Sequence, residues 1–94
     1  MLLYPDEHQL YALTPSGQWD LPVHSRIQHL ISKHLQRLGS RDGNWTVLFR
    51  DPDDGRFWEL TYPMSEMHGG GPARLTEISE QTARENYDIK PPAA

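Results

Sequence analysis

Residues 44–62 read NWTVLFRDPDDGRFWELTY, and the architecture of the chain turns on them. From Asn44 to Arg50 the residues alternate, with Trp45, Val47 and Phe49 on one side. The alternation resumes from Arg56 to Tyr62 after Asp51-Pro52-Asp53-Asp54-Gly55. An extended chain sends successive side chains to opposite faces, so two such runs about a Gly-terminated turn predict a β-hairpin. Leu48 on the first run and Trp58, Leu60 and Tyr62 on the second occupy the other face. The hairpin is therefore expected to be central and covered on more than one side, with Trp45, Phe57 and Trp58 in the core.

Upstream, Val23, Ile27, Leu30, Ile31, Leu35 and Leu38 recur at three- and four-residue steps, which predicts a helix from Pro22 to Leu38 that buries one face. Asp20 or Ser25 could cap its start, Pro22 suits a first turn, and Gly39 is placed to end it in the left-handed conformation. A short strand is expected around Gln9–Leu13, followed by a turn at Thr14-Pro15-Ser16-Gly17. Beyond Pro63 comes an irregular stretch through Pro72. A strand from Ala73 to Ile78 and a helix capped by Ser79 and running to about Tyr87 are expected to follow it. The expected fold is thus α+β: a small antiparallel sheet with a central hairpin packed against one long helix, plus a short C-terminal helix. Residues 1–90 form one domain in this reading, and 91–94, with Pro91 and Pro92, form a flexible tail.

Ninety-four residues are enough for one core. A chain of this size buries only roughly 60–65% of the surface its unfolded form exposes, so its three Trp, four Tyr and two Phe must supply much of the buried area. Cysteine is absent, which excludes disulfides, thiol catalysis and iron–sulfur clusters. No basic leader with an apolar stretch is visible, and no apolar run approaches the roughly 20 residues that span a bilayer. A cytoplasmic protein with no membrane partner is expected.

The net charge of -4 is unevenly spread. No acidic residue lies between Asp20 and Asp42, an interval that carries Arg26, Lys33, Arg37 and Arg41, and five basic residues face thirteen acidic ones in the remainder. On a helical wheel Arg26, His29, Lys33 and Arg37 share the outer face. Such a strip could track a phosphate backbone, the alternative reading of this chain as a small nucleic-acid-binding module. The strip is short and the surrounding field negative, so a solvated face is the preferred reading and nucleic acid is not the expected partner. His34 projects into the apolar stripe and His24 lies at its margin, so both are expected to be core imidazoles with hydrogen-bond partners.

Three motifs invite chemistry. The acidic loop at Asp51–Gly55 has its Gly at the fifth position, whereas a calcium-binding EF-hand needs it at the sixth, so ordinary turn chemistry is expected and no metal. His68-Gly69-Gly70-Gly71 resembles an oxyanion-hole turn, but no Gly-x-Ser-x-Gly nucleophile elbow accompanies it. Ser65, Glu66 and His68 lie too close in sequence to present a catalytic set without a scaffold. Neither catalysis nor a cofactor is expected. The Gly69–Gly71 run carries a large ordering cost, which an internal fit or a partner's approach would justify.

The linked pieces Asp51-Pro52-Asp53-Asp54-Gly55-Arg56-Phe57-Trp58-Glu59-Leu60, Thr61-Tyr62-Pro63 and His68-Gly69-Gly70-Gly71-Pro72 resemble immunity protein family 27 of bacterial polymorphic toxin systems. Leu75, Ile78, Ala83 and Tyr87 extend the likeness through the C-terminal half. The resemblance implies an antidote made beside its toxin, binding the toxin's C-terminal domain in the cytoplasm and sterically blocking its active site, with no cofactor. The acidic surface suits a basic partner such as a nuclease domain. The residues expected to be exposed for toxin contact are Asp51, Asp53, Asp54, Glu59, Glu66, Met67 and His68, with Tyr62 as an aromatic anchor.

Overall fold

The computed structural model describes residues 3–41, 45–63 and 71–87. In chain order the elements are β1 (Gln9–Tyr11), α1 (Leu21–His29), which runs directly into a π-helical turn (Leu30–His34), β2 (Gln36–Arg41), β3 (Thr46–Arg50), β4 (Phe57–Thr61), β5 (Arg74–Ile78) and α2 (Glu80–Asn86). The strands form one antiparallel sheet in the order β1-β5-β4-β3-β2. The hairpin is β3–β4, with Val47 opposite Leu60 and Phe49 opposite Trp58. With β4 in the middle of the sheet, the hairpin is central and the α+β architecture is as expected.

Both faces of the sheet are covered, because the hairpin carries apolar residues at odd and even positions alike. On one face Val47, Phe49, Trp58, Leu60, Leu75 and Leu10 pack with Ile27 and Leu30 from the helical segment, so Trp58 and Leu60 share the face of Val47 and Phe49, to which the register pairs them, and not that of Leu48 as expected. On the other, Leu48 packs with Ala83 and Tyr87 around α2, flanked by Phe57 and Ile78. Trp58 is wholly buried at the centre. Trp45 departs from expectation: it lies just ahead of β3 and is 53% exposed.

The helix starts as expected and ends early. Asp20 accepts the Val23 N–H at 3.3 Å and Pro22 sits in the first turn, so a donor that would otherwise be orphaned is satisfied. The helical run closes at His34, where the Leu35 N–H reaches back five residues to the Leu30 carbonyl at 2.7 Å. Leu35 then turns extended, at φ -73° and ψ 143°. Gln36–Arg41, expected to be the last turn and its cap, is the edge strand β2 instead. Its pairing with β3 skips one residue between Arg37 and Gly39, so Leu38 is the extra residue of a β-bulge and is 39% exposed. Gly39 pairs with Leu48 inside the strand rather than capping a helix. An edge strand this exposed has no apolar alternation to announce it, and Leu35 and Leu38 merely continued the helical spacing.

Two turns and a helix cap follow their sequence signals. Gly17 donates to the Thr14 carbonyl at 2.9 Å with φ 86°, and Leu13 bridges Trp19 across that turn. Gly55 closes the hairpin loop at φ 79°. Ser79 accepts the Thr82 N–H at 3.1 Å at the start of α2. Residues 64–70 and the expected tail at 91–94 lie outside the described residues.

Candidate functional site

The hairpin loop draws its first acid inward. Asp51, expected to be exposed, is fully buried. Its Oδ1 accepts the Asp53 N–H at 2.8 Å and lies 2.9 Å from His34 Nε2, which ties the end of the helical segment to the hairpin across 17 residues. This is the polar partner expected for a histidine on an apolar stripe. The sequence did not say which residue it would be. Asp51 Oδ2 is buried and meets no hydrogen-bond partner among the described residues. His34, Asp51 and Asp53 together offer three ligand atoms within 4.8 Å of one another, the one such set among the described residues that could hold a metal ion. Two of those three side chains are already joined by the hydrogen bond that links helix to loop.

Asp54 and Glu59 are engaged as well. Arg56 donates to Asp54 through its backbone N–H at 3.0 Å and through Nε at 2.7 Å. The same guanidinium reaches Glu77, the Glu7 carbonyl and the Tyr4 carbonyl at 2.7–3.1 Å, and so fastens the N-terminal segment to β4 and β5. Glu7 receives two hydrogen bonds from Arg26, at 2.6 and 2.7 Å. Partial burial works to raise the Asp54 and Glu77 carboxyls, yet hydrogen bonds from Arg56, and from His8 for Glu77, hold both below their ordinary values. For Glu7 the Arg26 hydrogen bonds outweigh burial and lower it too. On the opposite face Glu59 accepts the Tyr87 hydroxyl at 2.8 Å and lies 3.7 Å from Arg41. Burial first, and then this carboxylate, push the Tyr87 phenol well above its ordinary range, so it stays a donor.

Of the acidic residues expected at the contact surface and described here, Asp53 and Asp54 are exposed, as expected, Asp53 the more open with its side chain 46% exposed, whereas Asp51 is buried and Glu59 half-buried. The basic strip is broken up in a parallel way. Arg26 is held by Glu7, and Arg37 lies on β2 rather than on the helix, while His29 and Lys33 remain exposed. His24 lies edge-on to Trp19, 5.5 Å between ring centroids, with a buried Nδ1 that meets no partner among the described residues.

Tyr62 stands at the other end of the hairpin, beside Trp45. Their rings meet edge to face at 5.8 Å and 87°. With Thr46, Thr61, Pro63 and Arg74 they line an open hollow of about 340 Å³. The residues expected to form one contact surface are thus split: Asp53 lies at one end of the hairpin and Tyr62 at the other, about 20 Å apart along β3 at roughly 3.3 Å per residue. Glu66, Met67 and His68 lie outside the described residues. Sequence reasoning missed exposed Trp45 and half-buried Arg74 as lining this hollow; the signal for Trp45 was its place before the first paired residue of β3.

A family model described as Immunity protein 27 matches residues 22–79, and the chain belongs to that family. The match spans the helical segment, the hairpin and β5, which together build both ends just described. Neither the curated proteins nor the solved structures gave a match. Membership assigns an antitoxin-like immunity function with a toxin protein as partner, and the polymorphic-toxin setting is consistent with it. No helix among the described residues is long and apolar enough to cross a membrane.

Proposed function

We propose that this chain neutralises the C-terminal domain of a polymorphic toxin by binding it in the cytoplasm and covering its active site, without catalysis of its own. The family match over residues 22–79 carries this reading. The excess of thirteen acidic over nine basic residues favours a basic partner, of which a nuclease domain is the leading kind. In this reading Asp53, Asp54 and Tyr62 are contact residues, with Glu66, Met67 and His68 assigned from the sequence.

Co-expression of the neighbouring toxin domain with and without this chain tests the proposal: cells survive only when the antidote is present. Killing that continues despite abundant, folded antidote refutes it. A nuclease partner would also make association slow down as salt rises, because the acidic field that steers encounter is screened beyond about 10 Å at 0.1 M ionic strength. Salt-independent association rates would remove the basic partner and leave neutralisation standing.

A further inference from the structure

We infer that the hollow between Trp45, Tyr62 and Arg74 is the anchor recess for the toxin, and that it receives an acidic side chain flanked by an apolar one. The inference rests on the neutralisation reading and names the part of the surface that performs it.

Arg74 is the first ground. It is half-buried at the start of β5, and its Nε is buried with no hydrogen-bond partner among the described residues. Its guanidinium lies 5.8 Å from the Tyr11 ring centroid, a contact that holds the cation without filling any of its donors. Arg56, by contrast, is paired with Asp54 and Glu77, and Arg41 with Glu59, whereas no carboxylate among the described residues pairs with Arg74. Polar groups taken out of water are almost always hydrogen-bonded, so an arginine that lines the hollow with a buried Nε left unpartnered and no carboxylate beside it points to an acceptor from outside. The planar fork of its donors matches a carboxylate best.

The walls are the second. Trp45 is 53% exposed although the sequence places it in an alternating apolar run, and it is braced edge to face by Tyr62 rather than loose in solvent. Trp, Tyr and Arg are the residues that dominate binding energy at protein interfaces, above all when clustered around a recess. A volume of about 340 Å³ lies at the bottom of the roughly 300–1,000 Å³ span of ligand pockets, room for an anchoring side chain and its neighbour rather than for a cofactor. The occupant therefore has an apolar body for the rings and a carboxylate for Arg74. The two kinds of charge divide the work: the acidic field speeds encounter, and the single cation in the recess fixes register.

Titration calorimetry of the full chain with the toxin domain encoded beside it tests the inference. Trp45→Ala and Arg74→Gln are each expected to weaken binding 10- to 100-fold while the melting temperature moves by a few degrees at most. Trp45→Phe, which keeps a ring in place, should lose less than tenfold. Arg74→Glu should abolish binding, and a scan of toxin Asp and Glu residues to Lys should yield one partner that restores it. Wild-type affinity in both Trp45→Ala and Arg74→Gln overturns the recess while leaving neutralisation intact. A charge scan with no rescuing partner overturns the acidic occupant. Loss of folding in both Arg74 variants makes Arg74 a structural residue and overturns the inference as well, as does concentration-dependent self-association that Trp45→Ala removes, since the occupant would then be a second copy. If wild-type protein fails to bind the toxin at all, the neutralisation reading falls first and the recess with it.

Discussion

The pairing of His34 with Asp51 shows how much of this small fold hangs on single polar side chains. Asp51 Oδ1 serves two donors at once, the Asp53 backbone and the His34 ring, in a place water does not reach. Asp51→Ala takes this acceptor from both, leaving His34 only the Asp53 carboxylate at 3.5 Å, and should destabilise the chain by about 1–3 kcal/mol, the cost of a donor left unsatisfied. Asp51→Asn keeps the oxygen and should lose about 1 kcal/mol. Urea unfolding separates the two, and equal losses would mean that the charge rather than the acceptor matters. Trp58→Ala, which empties the centre of the core, should cost about 3–5 kcal/mol by the same measurement. The sequence showed that His34 needed a partner but not that Asp51 would supply it. An acidic residue opening a Pro-Asp-Asp-Gly turn reads as solvent-facing, and only the approach of the helix end buries it.

At the level of elements, the hairpin was legible because both its faces are apolar and its turn has one chemical solution. Gly55 holds φ 79°, and a Cβ there would stand 3.2 Å from Arg50 Nη2. Gly55→Ala should therefore destabilise by about 1–2 kcal/mol, most of it left-handed backbone strain. A melting temperature unchanged in that variant would show that the loop can open without loss. The caps at Asp20 and Ser79 were legible for the same reason, since a side-chain oxygen at a helix start has a defined donor to meet. The strand β2 was not. Helical spacing of apolar residues persisted through Leu35 and Leu38 by coincidence, while the strand beneath them lies on the sheet's edge and carries mostly polar side chains. The candidate site was legible in its acidic composition but not in its geometry, because Asp51, Asp54 and Glu59 each found a partner distant in sequence or across a turn.

Over the whole molecule, charge holds the N-terminal segment to the sheet. Glu7, Asp54 and Glu77 all sit below their ordinary values of 4.5, 3.8 and 4.5 when folded. The folded chain thus binds protons at these sites less readily than the unfolded chain. Their contribution to stability is complete above those ordinary values and is lost as pH falls through the lowered ones. Urea midpoints should accordingly change little on their account between pH 7 and about 5.5 and decline below about 4.5. Glu7→Gln should shrink that decline and cost about 1 kcal/mol at pH 7, a figure kept low because both Glu7 and Arg26 are partly exposed. A decline as steep as in the wild type would place the acid-sensitive pair elsewhere.

Leu35 alone separates the helical run from β2. In an extended strand a shift of one residue exchanges the two faces, so an insertion at this joint would turn β2 over along its whole length and set its bulge against the wrong partner on β3. The chain has no spare length there to absorb a change, whereas the turn at Thr14–Gly17 is solvent-facing and has only its own hydrogen bonds to lose. Lineages of this protein should accordingly vary in size at that turn and stay fixed in length at the joint.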